Sequence, residues 1–181
     1  MTRKRRLAAA AVVLALLFAA AAGATSAPSR HSFPVNEQWS TRGPVGEFGA
    51  PRDGGRIHQG FDIVAKCGAK LLAVSEGQVI KRGFDPVLYG NYLLLSGAGE
   101  GRSYFYAHLL RRAVVKPGQH VFGGQYVGNE GRTGNAETVG CHLHFELRIR
   151  GRAVDPEPAL RKWDRHSQPA LDLRRGRWSR G

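Results

Sequence analysis

At 181 residues, with 42% hydrophobic residues and 24 glycines, the chain is long enough for one domain with a core and too apolar for a disordered polymer. No internal repeat or sustained heptad pattern runs through it, which excludes a solenoid or a coiled coil. The net charge of +13 comes with no nucleic-acid-binding motif, so no nucleic-acid partner is expected.

In chain order, residues 1–24 read as a signal peptide. Arg3, Lys4, Arg5 and Arg6 form a basic start, an apolar run follows from Leu7 to Ala22, and Ala22 and Ala24 offer an A-x-A cleavage site before Thr25. The run is shorter than the about 20 residues a spanning helix needs, and an uncleaved N-terminal anchor is the alternative. Loss of the four basic residues lowers the net charge to +9, and +5 of that sits in residues 161–181. The Ser/Pro-rich residues 25–32 read as a linker, residues 33–165 as the domain, and the Arg-rich residues 166–181 as a mobile tail. Short alternating or apolar runs separated by glycines predict strands at Gly60–Val64, Leu71–Val74, Gln78–Arg82, Tyr92–Leu95, Tyr104–His108, Tyr126–Gly128 and His142–Ile149. Turn signals such as Asp53-Gly54-Gly55 and Pro117-Gly118 lie between them, and Glu157–Trp163 suits a short closing helix. The fold class is therefore all-β.

Histidines gather on three of these segments. In the last strand, alternation places His142, His144, Glu146 and Arg148 on one face, with Leu143, Phe145, Leu147 and Ile149 on the other. The same rule puts Tyr104, Tyr106 and His108 on a common face. His58 and Asp62 converge only if the chain bends at Gly60. Each cluster alone is weak evidence, because an isolated histidine is more often surface decoration. Taken together, they suit zinc, which favours imidazole and carboxylate and in catalytic sites keeps three protein ligands and an open position. Neither an H-E-x-x-H helix nor a G-x-S-x-G elbow is present.

The segments His58-Gln59-Gly60-Phe61-Asp62, Tyr106-Ala107-His108-Leu109 and His142-Leu143-His144-Phe145-Glu146 resemble, in this order, the signatures of the lysostaphin/LytM-type zinc metallopeptidases. The resemblance runs from about Phe33 to Leu160. It implies a compact antiparallel β structure, a barrel-like sandwich of the duplicated hybrid motif type, with a zinc site in a groove. It implies one Zn2+ held by His58, Asp62 and His144, with His142 as general base and His108 as oxyanion stabiliser, the two roles being interchangeable. The implied activity is endopeptidase cleavage of peptidoglycan cross-links or stem peptides by a secreted, monomeric protein. The basic tail would suit anionic wall polymers. Many relatives carry a histidine after the strand that here ends Leu94-Leu95-Ser96-Gly97, and this chain does not. Other relatives have lost ligands and serve as non-catalytic wall-binding or amidase-activating modules. That is the alternative reading, although all five positions are intact here.

Cys67 and Cys141, the only cysteines, flank the motifs. Thiolates also bind zinc, but an even pair in an oxidising exterior forms a disulfide more naturally, and Cys141 alternates away from His142 and His144. A Cys67–Cys141 disulfide is expected. His31, His120 and His166 match no motif.

Overall fold

A computed structural model describes residues 31–167. The signal peptide and most of the expected linker and tail lie outside the described residues. The strands in chain order are β1 (Ser40–Thr41), β2 (Pro51–Arg52), β3 (Arg56–Ile57), β4 (Phe61–Val64), β5 (Lys70–Leu72) and β6 (Gly77–Asp85). They continue with β7 (Gly90–Gly97), β8 (Arg102–Leu109), β9 (His120–Val121), β10 (Tyr126–Asn129), β11 (Leu143–Ile149) and β12 (Arg152–Val154), and α1 (Glu157–Ser167) closes the described chain. The main sheet has the order β1-β4-β11-β8-β7-β6-β9, with β12 also paired to β11, while β5–β10 and β2–β3 form two small ribbons. All pairings are antiparallel. The main sheet stays open from β1 to β9, so no closed barrel forms.

Alternation explains which face is buried. On β11, Leu143, Phe145 and Leu147 are buried and lie opposite Ile63 and Phe61 of β4 and Tyr106 and Tyr104 of β8. These side chains join Leu71 and Val127 of the β5–β10 ribbon in one core. The Tyr106 hydroxyl reaches 3.0 Å to both the Leu72 carbonyl and the Val74 amide, so its one polar atom is satisfied inside that core.

The two ends of the described segment are tied onto the same core. Asp155 caps α1 by accepting the Glu157 amide at 3.0 Å. One turn on, Leu160 and Trp163 are buried, and the Trp163 ring meets Tyr104 and Phe145 edge-on. At the other end His31 stacks on Trp163 with ring centroids 5.0 Å apart. Cys67 and Cys141 are joined, with Cα atoms 5.3 Å apart across a sequence separation of 74. Among the described residues no helix is long and apolar enough to cross a membrane.

Candidate metal centre

The face of the sheet opposite the core carries the polar residues of β4, β8 and β11. Asp62 on β4 lies directly across from His144 on β11. His58 comes from the segment before β4, where the chain passes unusually close to β11. A Cβ at Gly60 would stand 2.5 Å from the Phe145 carbonyl oxygen and 2.9 Å from Cε1 of His144. The missing side chain therefore permits the approach that brings His58 over the strand pair.

Three ligand atoms converge as a result. His58 Nε2 is 2.9 Å from Asp62 Oδ1 and 2.8 Å from His144 Nδ1, and the third side of the triangle, from His144 Nδ1 to Asp62 Oδ1, is 3.2 Å. All three residues are buried. Their outer atoms are already committed. His58 Nδ1 lies 2.8 Å from the Glu47 carbonyl, which can only accept, so that nitrogen carries the proton. His144 Nε2 lies 3.0 Å from Glu146 Oε1, and Glu146 is itself held by Arg148 at 2.7 Å. Burial would raise Glu146, but its bonds to His144 and Arg148 keep it below the ordinary carboxylate range.

With both imidazoles neutral, three lone pairs face one another within 3.2 Å, an arrangement that calls for a proton or a cation at its centre. Burial would lower His144, yet the hydrogen bonds to Asp62 and Glu146 hold it above its ordinary value, so the surroundings favour positive charge at that place. Desolvation would raise Asp62, but its close contacts with the His144 and His58 imidazoles outweigh burial and hold it far below the carboxylate range. One carboxylate and two imidazoles with fixed tautomers fit a divalent transition metal with an open coordination position.

Two further imidazoles stand beside this triangle. His142 Nδ1 donates to the Gly140 carbonyl at 3.0 Å, and His108 Nδ1 donates to the Thr133 carbonyl at 2.8 Å. Their rings are 4.8 Å apart, and His142 Nε2 is 3.9 Å from Asp62 Oδ2. Burial lowers both, His108 to about 3 with help from the charges of His142 and His144. Each therefore presents a bare Nε2, an acceptor, to the groove.

His108 is placed differently from the sequence expectation. Tyr104 and Tyr106 do share a face, but it is the core face. Strict alternation would send His108 there too. Instead His108 takes φ 62°, in the left-handed region, next to a register shift between β7 and β8. The twist turns its ring out of the core and onto the metal face.

The structure thus gathers His58, Asp62, His108, His142 and His144 into one groove of about 310 Å³ and leaves His31 and His120 elsewhere. It also brings in residues that the sequence reading passed over. Arg42 and Arg52 reach Asp62 Oδ2 at 3.3 and 3.6 Å, and Arg56 and Tyr89 line the walls. No periodic signal marks these four, because they sit on two-residue strands or in loops.

The sequence pattern of Peptidase family M23 matches residues 56–156, more than half of the chain. Murein hydrolase activator NlpD of Escherichia coli is 34% identical over 127 residues, 69% of this chain and 31% of that protein. Peptidoglycan DD-endopeptidase ShyA of Vibrio cholerae is 32% identical over 132 residues, 68% of this chain and 28% of that protein. The chain thus spans about a third of the length of these curated relatives. Among solved structures, the catalytic domain of the antimicrobial peptidase lysostaphin from Staphylococcus simulans superposes with a TM-score of 0.58. It shares 28% identity and covers 70% of this chain and 93% of that one.

Proposed function

The chain belongs to peptidase family M23, and from that premise we propose that it is a zinc-dependent endopeptidase acting outside the cytoplasm on peptidoglycan peptides. The observation that carries the proposal is the set of three convergent acceptor atoms with two bare imidazole nitrogens beside it. His58, Asp62 and His144 would hold the ion, in one copy per chain. A bound zinc ion supplies Lewis-acid polarisation of the scissile carbonyl and lowers the pKa of water to about 7.

The remaining chemistry belongs to the chain. His142, with its Nδ1 proton donated to the Gly140 carbonyl and Nε2 bare, accepts the proton of the attacking water and returns it to the leaving amine. His108 is held in the same tautomer, so it stabilises an oxyanion only after its own Nε2 has been protonated. Glu146, fixed by Arg148, orients His144 and keeps the Nδ1 lone pair inward.

A reading as a non-catalytic activator is favoured by the likeness to NlpD. The intact ligand set and both flanking histidines weigh against it. Digestion of purified peptidoglycan by the metal-loaded protein, with fragments identified by mass spectrometry, tests the choice. New amino termini that disappear with His142→Ala support the peptidase. No cleavage, together with stimulation of a separate wall hydrolase, supports the activator.

A further inference from the structure

Three arginines stand along one side of the groove. Arg42 and Arg52, both half-buried, reach Asp62 Oδ2 at 3.3 and 3.6 Å, and Arg56 is exposed one strand away. Arg52 and Arg56 are paired across the β2–β3 ribbon, so both side chains rise from one hairpin. Three acids also line the groove, Asp53, Asp62 and Glu146, and Asp53 makes no ion pair with the arginines among the described residues. Asp62 is shared with His58 and His144, and Glu146 is committed to His144 and Arg148. Arg56 uses Nε on the Asp53 backbone carbonyl at 3.2 Å and makes no ion pair among the described residues. That leaves its terminal amino groups facing the groove's solvent, beside the exposed Ile57. A bound divalent cation would add further positive charge at the same place.

We infer that the β2–β3 hairpin is a specificity site, in which Arg56 and Arg52 receive a free carboxylate on the substrate residue next to the scissile bond. Arg52 lies 3.6 Å from Asp62, one of the residues that would hold the ion, so a group received by the hairpin sits beside the reacting centre. A planar guanidinium suits a carboxylate by bidentate geometry, and a neutral glycine-rich bridge offers it nothing to hold. The substrate class is therefore an anionic stem peptide. This inference rests on the peptidase reading and deepens it.

The test uses two synthetic cross-linked stem-peptide dimers. In one, the residue beside the cross-link carries a free carboxylate; in the other that carboxylate is amidated. The zinc-loaded protein is expected to cut the free acid faster by about 10-fold or more at low salt, with the ratio shrinking as salt is added. Arg56→Gln should bring the ratio close to one, and Arg56→Lys should keep part of it. Because the Arg56 side chain is exposed, its variants should keep the wild-type melting temperature. Equal cutting of both dimers by the wild type, or a ratio unchanged in Arg56→Gln, overturns the inference and leaves the peptidase reading standing. If neither dimer is cut, the peptidase reading falls. Calorimetric affinities of the full chain for the two dimers then decide, with tighter binding of the free acid supporting the site and equal binding overturning it.

Discussion

His142 and His144 leave the same strand two residues apart, yet their ring nitrogens have different partners. His144 turns Nδ1 towards Asp62 Oδ1 and His58, while His142 gives Nδ1 to the Gly140 carbonyl and keeps Nε2 3.9 Å from Asp62 Oδ2. His144→Ala should lose both metal and activity, because the two remaining ligands hold zinc poorly. His142→Ala should keep its zinc and lose about 10²–10⁴ in rate, the usual worth of a positioned acid–base group. Zinc stoichiometry and peptide hydrolysis on the two variants check this, and an inverted result would exchange their roles. Metal uptake should depend on pH through His144. Its value in the free protein is raised above that of an ordinary imidazole, so a proton competes with the ion and affinity falls as pH drops. Titrating the chelated protein with zinc at several pH values, while following proton release, measures the effect. At this scale the sequence was readable where side chains repeat with period two, and His144, Glu146 and Arg148 do meet along one face of β11. His108 was not readable in the same way, since nothing in Tyr-x-Tyr-x-His announces a left-handed residue.

Where β4 and β11 meet, the fit depends on Gly60. Gly60→Ala would push a methyl group against the Phe145 carbonyl and the His144 ring, neither of which lies at the end of a flexible side chain. The pair must separate, at a cost of about 1–3 kcal/mol, and the site should lose zinc before the fold is lost. Thermal melting and metal content measured together distinguish the two losses.

Just beyond β10, Glu130 is fully buried. Its Oε1 accepts the Ala65 amide at 2.9 Å, and Oε2 has no hydrogen-bond partner among the described residues. Burial raises its pKa to about 7, against 4.5 for the ordinary side chain. The fold therefore favours the protonated form, and that stabilisation is complete below about pH 4.5 and lost as pH rises through 7. The loss is on the order of 3 kcal/mol. Glu130→Gln should flatten the decline in melting temperature across that window, and an unchanged slope would assign the decline to other groups.

All seven strands expected from periodicity are present, and α1 extends the expected helix to Ser167. The strands that escaped notice are β1, β2, β3, β9 and β12, each of two or three residues. Such short segments carry no period and are defined only by the partner they pair with. Two of them form the arginine-bearing hairpin, so the groove wall was less legible than its floor.

For the whole molecule, the Cys67–Cys141 bond joins the exit of β4 to the entry of β11, the two strands that supply Asp62 and His144. In the chain-entropy picture, closing a loop of 74 residues stabilises the fold by about 4 kcal/mol. Replacing both cysteines with alanine should lower the melting temperature and weaken zinc retention together, because the bond ties the strands that carry Asp62 and His144. Melting curves with and without a reductant, compared with the double variant, test that coupling. The left-handed backbone at His108 sets folding against the make-up of the groove. A side chain with a Cβ is disfavoured there by about 1–2 kcal/mol, a cost that glycine escapes. Glycine at this position would make the fold sturdier and would take the imidazole out of the groove.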